Sequence, residues 1–162
     1  CSFFSYENHV KELIRKSQQE FDFYMDIGAC IGDYSIWLAK QGMQCYAFEP
    51  SSENYNCLQG NIDLNNVRHL VTALNYGLAN KSSELVFHSN PIDKSYKRNF
   101  FIVGGVSEEG IQLKTLDQVI FEQSIDIDKS LIINLHVEGM EEDIIEGAKY
   151  FFKSAKKNIA YL

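Results

Sequence analysis

A doubly wound α/β fold with a mostly parallel sheet is the architecture this sequence predicts, on three observations. Short apolar runs alternate with helical segments along most of the chain, the pattern of strands joined by crossover helices. Glycine or an acid closes several of those runs, at Gly28, Glu49 and Glu138. The length of 162 residues suits one domain, taken as 1–162, and can bury a core without disulfide or metal staples.

The elements follow in order. From Ser5 to Gln19, Tyr6, Val10, Leu13 and Ile14 recur at helical spacing, which predicts an amphipathic lead-in helix within residues 1–20. The core is expected from residue 24 to 162. Phe21 to Ile27 reads as a buried strand ending at Gly28. Asp33 to Gln41 sets Tyr34, Trp37 and Leu38 on one helical face, and Gly42 stops the helix. Gln44 to Phe48 is the next strand; Glu49 precedes Pro50 and is therefore held extended at its end. Ser51 or Ser52 caps a helix with Tyr55, Leu58 and Ile62 inward, ended by Asn65-Asn66. His69 to Leu74 reads as a strand and Glu84 to His88 as a short antiparallel one. Residues 89 to 114 are Gly-rich and read as irregular. Thr115 to Phe121 is a short helix or turn, and Leu131 to Val137 a strongly apolar strand. A helix from Glu141 to Phe152 follows, with acids in its first turn and Lys149 and Lys153 near its end, matching the helix dipole. Asn158 to Leu162 begins a further strand. Right-handed crossovers bring all parallel strand ends to one edge, and open α/β sheets bind ligands there.

Composition narrows the classes of function. Hydrophobic residues at 45% and charged residues at 23% fit a packed globule and exclude a disordered chain. A formal charge of −7 repels a phosphate backbone, so nucleic acid is not expected as a partner. The basic run Lys94 to Arg98 reads as a solvated loop, or else as a contact to an anionic substrate. The cysteines Cys1, Cys30, Cys45 and Cys57 form no C-x-x-C pair and no zinc spacing, so no metal is expected. Reduced thiols and a cytoplasmic setting are the simplest account. No apolar run has the length of a membrane span, and the start lacks a signal-peptide pattern. It also lacks an initiator Met, as in a processed piece.

Four motifs carry chemistry. Asp26-Ile27-Gly28-Ala29-Cys30-Ile31-Gly32 lies between a strand and a helix, the context that gives a glycine turn weight. Its spacing is G-x-x-x-G, without the middle glycine that a pyrophosphate cradle needs. The longer gap, preceded by an acid, suits a ligand with an amino-acid tail. Asp26 is placed to contact an ammonium or else to cap the following helix. Glu49, with Pro50 beside it, stands where an acid accepts hydrogen bonds from vicinal ribose hydroxyls; it indicates a nucleoside without saying which. Gly77 and Leu78, after the third strand, would flank an adenine ring or form an ordinary turn. In Asn134-Leu135-His136-Val137-Glu138-Gly139, alternation sets Asn134, His136 and Glu138 on one side. His136 is a candidate general base toward an acceptor hydroxyl, with Glu138 orienting it or binding the acceptor. A half-buried core histidine and a helix-capping acid are the structural alternatives.

Together these segments resemble the FkbM-type methyltransferase family. The resemblance is carried by Asp26 to Ser35, by Ala47-Phe48-Glu49-Pro50-Ser51 with Asn54, by Thr115-Leu116-Asp117, by His136 to Glu141 and by Gly147-Ala148. It implies a class I Rossmann-like fold, S-adenosyl-L-methionine as methyl donor and O-methylation of a sugar or other small metabolite. By position, Asp26, Gly28, Ala29, Cys30 and Gly32 would line the methionine end and Glu49 the ribose. His136 and Glu138 would face a small-molecule or glycan acceptor. The sequence departs from the family at Cys30, where Asn is usual, and in Asn134 to Gly139, where K-I-D-V-E-G is usual. The chain also stops short of the family's last strands, as in a C-terminally truncated form, which would leave strand edges for self-association. Two other readings are a non-catalytic S-adenosylmethionine-binding module and, on a related sheet, a nicotinamide-dependent oxidoreductase.

Overall fold

The computed structural model describes residues 20–86, 110–137, 139–155 and 159–161, with Arg15 alone before them. The expected lead-in helix, the Lys94 to Arg98 run and Glu138 lie outside the described residues, as does most of the stretch expected to be irregular.

Five parallel strands form the main sheet: β1 (Phe23–Ile27), β2 (Gln44–Phe48), β3 (Val71–Leu74), β7 (Leu131–Leu135) and β8 (Ile159–Tyr161). Their order across it is β3-β2-β1-β7-β8. β1 is central: Asp26 pairs with Ala47 on one side and with Asn134 on the other. All five of its residues are buried, as expected of a strand covered on both faces.

Alternation along β1 divides the core in two. Phe23, Met25 and Ile27 pack with α3 (Leu116–Glu122), α4 (Glu141–Glu146) and α5 (Lys149–Ser154) through Val119, Ile144 and Phe151. Tyr24 joins the opposite cluster, with Ile36 and Leu38 of α1 (Asp33–Ala39) and Leu58 and Ile62 of α2 (Ser52–Leu64). Helices thus cover both faces, and the sheet is doubly wound. Ser51 caps α2 by accepting from Asn54 N, and Thr115 caps α3 by accepting from Gln118 N; each satisfies an N–H that the helix itself leaves unpaired.

Three local expectations are corrected. Residues 110–114, read as irregular, form β6 (Gly110–Lys114), the middle of a small second sheet. There Gly77–Leu78, where the sequence left an ordinary turn open, forms β4 and runs parallel to β6, and β5 (Ser83–Val86) runs antiparallel to it. The single helix from Glu141 to Phe152 is two, broken at Gly147-Ala148. A Cβ on Gly147 would strike the Ala79 carbonyl, so α4 turns where glycine lets it pass close to the small sheet.

Candidate functional site

Strand order reverses between β1 and β7, since β2 and β3 lie to one side and β7 and β8 to the other. The crevice outside the strand ends at such a reversal is where open α/β sheets bind ligands. The turn of 28–32 follows β1 here, Glu49 follows β2 and His136 follows β7. Backbone hydrogen bonds stitch these ends together. Phe48 O accepts from Gly28 N at 3.0 Å and Ala29 N at 2.9 Å, and Ile27 O accepts from His136 N at 2.9 Å.

The turn explains its own glycines. Gly28 has φ 86° and Gly32 φ 91°, left-handed values that favour glycine. A Cβ on Gly28 would also collide with the carbonyl oxygen of His136, and one on Gly32 with Leu58 Cδ1. Gly28 therefore lets β1 and the β7 end close together, and Gly32 lets α2 close over the turn. Cys30 is also left-handed, at φ 52°. Asn would tolerate this region better than most side chains.

Two buried carboxyls stand at this edge. Glu49 Oε2 accepts from Cys30 N at 2.8 Å, and Oε1 accepts from Ser51 N at 2.9 Å. Asn75 Nδ2 donates to the Glu49 carbonyl at 2.9 Å, holding the residue from the β3 side. Burial pushes the Glu49 carboxyl above its ordinary pKa, while the two N–H donors and Asn54 pull it back. The two N–H donors and Asn54 take three of the roughly four lone-pair sites of the carboxylate, so it can accept from one further donor.

Asp26 is 2% exposed. Its Oδ2 accepts from Ser35 Oγ at 2.6 Å and its Oδ1 from Asn134 Nδ2 at 3.0 Å. Burial raises its pKa; these bonds, and more weakly the charge of His136, oppose the rise. Asp26 thus ties the first turn of α1 to β1 and β7.

His136 is exposed, unlike a core histidine. Gly77 packs on Pro50: a Cβ there would lie 3.6 Å from Pro50 Cβ and tight against Leu113. Leu78 and Ala29 are both buried. The sites expected from sequence at Gly28, Ala29, Cys30, Gly32, Glu49 and Pro50 come together. Ser35, Ser51 and Asn75, which hold the carboxyl and backbone of the two acids, belong to none of the expected site residues. Ser51 had a local signal as a helix cap, and Ser35 closes the Asp26 to Ser35 segment singled out in the sequence. Among the described residues no group of three or more His, Cys, Asp or Glu could hold a metal ion, and no helix is long and apolar enough to cross a membrane.

Comparison with known proteins places this geometry in context. Residues 26–162 match the model of the methyltransferase FkbM domain. The chain is 27% identical over 142 residues to the hexuronic acid methyltransferase AglP of Haloferax volcanii, covering 87% of this chain and 56% of that protein. Its fold is similar to the crystal structure of a methyltransferase FkbM from Methylobacillus flagellatus KT. That likeness has a TM-score of 0.60 at 18% identity, over 87% of this chain and 32% of the other. The chain therefore spans about half the length of the curated relative and a third of the solved one.

Proposed function

Because the chain belongs to the FkbM methyltransferase domain family, we propose that it binds S-adenosyl-L-methionine in the crevice outside β1 and β2 and methylates a hydroxyl of a sugar or other small metabolite. One observation carries this reading: the Glu49 carboxylate meets the Gly28 to Gly32 turn directly, through the Cys30 N–H. An acid with spare acceptor capacity beside a glycine-lined turn fits a ribose and the chain attached to it. The sugar acceptor rests on the likeness to a hexuronic acid methyltransferase and on nothing in the site itself.

When bound, the donor supplies a methyl group made electrophilic by its sulfonium. The protein's own residues then have three tasks. Gly28, Ala29, Cys30 and Gly32 shape the methionine end. Asp26 works through Ser35 and Asn134 to fix that turn against α1 and β7. Glu49 accepts from a ribose hydroxyl, with Pro50, Gly77 and Leu78 toward the adenine. His136, exposed beside the turn, takes the proton of the acceptor hydroxyl at its imidazole nitrogen, the work of a general base. Glu138 is assigned to orient the acceptor or His136. Aligning the hydroxyl with the breaking C–S bond is the larger contribution, since orientation alone can remove several kcal/mol from a barrier.

The test is differential scanning fluorimetry with S-adenosylhomocysteine against NAD. A ligand at about 100 times its Kd stabilises the fold by roughly 2.7 kcal/mol. A shift with S-adenosylhomocysteine and none with NAD is expected. A shift with NAD alone would point instead to nicotinamide chemistry.

A further inference from the structure

Cys30 and Cys57 are both exposed free thiols, and the fold brings them to one rim. Cys30 stands in the middle of the turn with its N–H on Glu49. Helix α2 closes over the same turn. Leu58 fills the space beneath Gly32, and Asn61 Nδ2 donates to Ile31 O at 2.9 Å. At the start of α2, Asn54 hydrogen-bonds the Glu49 carboxylate. Residues three and four apart on a helix share a face, so Asn54, Cys57 and Asn61 form one row. Its ends touch Glu49 and Ile31; Cys30 is bonded to the first and adjacent in sequence to the second. Cys57 therefore lies on the face of α2 turned toward the 28–32 turn, near enough for its charge to act on Cys30. Burial, then Glu49, Asp33 and Cys57, hold the Cys30 thiol above its ordinary pKa. Cys45, the other described thiol, is buried with its Sγ directed at the carbonyls of Ser35 and Met43, and is out of reach of small oxidants.

We propose that Cys30 and Cys57 form an oxidisable pair at the mouth of the crevice, converted to an intramolecular disulfide by a small disulfide such as oxidised glutathione. Cys57 gives up its proton and attacks one sulfur of the small disulfide, releasing one small thiolate, which takes that proton. Cys30, held protonated longer, reacts second. Its thiolate attacks the Cys57 sulfur, the protein disulfide forms, and the second small thiolate leaves and takes the Cys30 proton. Two electrons pass from the cysteine pair to the small disulfide, which becomes two thiols. The link ties the turn to α2 and draws the Cys30 N–H from Glu49, so the oxidised protein binds an adenosyl ligand more weakly. That last consequence rests on the methyltransferase reading; the link itself does not.

The experiment treats the folded, reduced protein with excess oxidised glutathione. Peptide mapping after alkylation reads the link, and calorimetry with S-adenosylhomocysteine reads affinity. A Cys30–Cys57 cross-link within one chain is expected. Affinity should fall about tenfold, as for one lost hydrogen bond to a charged group, and dithiothreitol should restore it. Cys57→Ser protein, treated alike, should show no cross-link from Cys30 to another cysteine of the chain in the same peptide map. Glutathione left on separate cysteines, or a link to a different cysteine, would overturn the pairing. A Cys30–Cys57 link with undiminished affinity would overturn its effect on binding. Reduced protein that does not bind S-adenosylhomocysteine would count against the methyltransferase reading, with the pairing still decided by the peptide map.

Discussion

Replacing Gly28 with alanine probes the close approach of β1 and β7 on which the crevice depends. Three left-handed glycines separate the contributions. Gly28, Gly32 and Gly42 have φ of 86°, 91° and 92°, so alanine at each meets nearly the same backbone strain, about 1–2 kcal/mol. Part of that is offset because alanine restricts the unfolded chain, by about 0.4–1 kcal/mol. Gly42 has nothing within 4 Å of a built Cβ, so Gly42→Ala should cost roughly 1 kcal/mol. At Gly32 the obstacle is the tip of Leu58, which can rotate aside, so the added cost is small. At Gly28 it is the backbone carbonyl of His136, fixed by its neighbouring hydrogen bond to Ile27 O. Relieving it strains the pairing of β1 with the β7 end, adding about 1–3 kcal/mol, the usual range for overpacking. Urea denaturation of the three variants should therefore rank Gly42→Ala, Gly32→Ala and Gly28→Ala in rising order of loss. Equal losses at Gly28 and Gly42 would refute the claim that Gly28 is there for close approach.

Two further outcomes follow from the site. Asp26 has its pKa raised on folding, so the folded state favours its neutral form; the stability this confers is present below the unfolded pKa and lost as pH rises through the folded one. Asp26→Asn stays neutral throughout, so its stability relative to wild type should rise with pH between those two pKa values, by about 1.4 kcal/mol per pH unit. A urea midpoint series against pH that shows the reverse trend would contradict the burial argument. His136→Ala, assayed with radiolabelled methyl donor on hydroxylated acceptors, should lose about 10²- to 10⁴-fold in rate, the usual share of a general base. Its S-adenosylhomocysteine affinity should be unchanged; transfer at the wild-type rate would remove His136 from the proposed chemistry.

The main sheet was legible because buried parallel strands read as continuous apolar runs, as in Phe23 to Ile27 and Leu131 to Leu135. The glycine turn was legible because its strand-to-helix context and its spacing both survive in sequence. Strand β6 was not. Gly110 to Lys114 alternates exposed and buried over only five residues, behind a long Gly-rich stretch that reads as loop. The break between α4 and α5 was hidden because Ile144, Ala148 and Phe151 keep helical spacing across it. What stops the helix is the backbone of Ala79 against Gly147, a tertiary contact with no local sign. The partners of Asp26 were hidden for the same reason. Ser35 is nine residues away and Asn134 is 108, and strand register alone brings them together. His136 was open in sequence between a core and a catalytic residue; its exposure removes the first.

That Glu49 and the Gly28 turn form one adenosyl site is tested most directly by calorimetric titration of S-adenosylhomocysteine into wild type and Glu49→Gln. The glutamine keeps the size but loses the charge, and its amide group cannot accept from both Cys30 N and Ser51 N. A loss of about 1.5–3 kcal/mol, roughly 10- to 150-fold in Kd, is the expectation for hydrogen bonds to a charged group. Tight binding by both proteins with the same Kd would contradict the account.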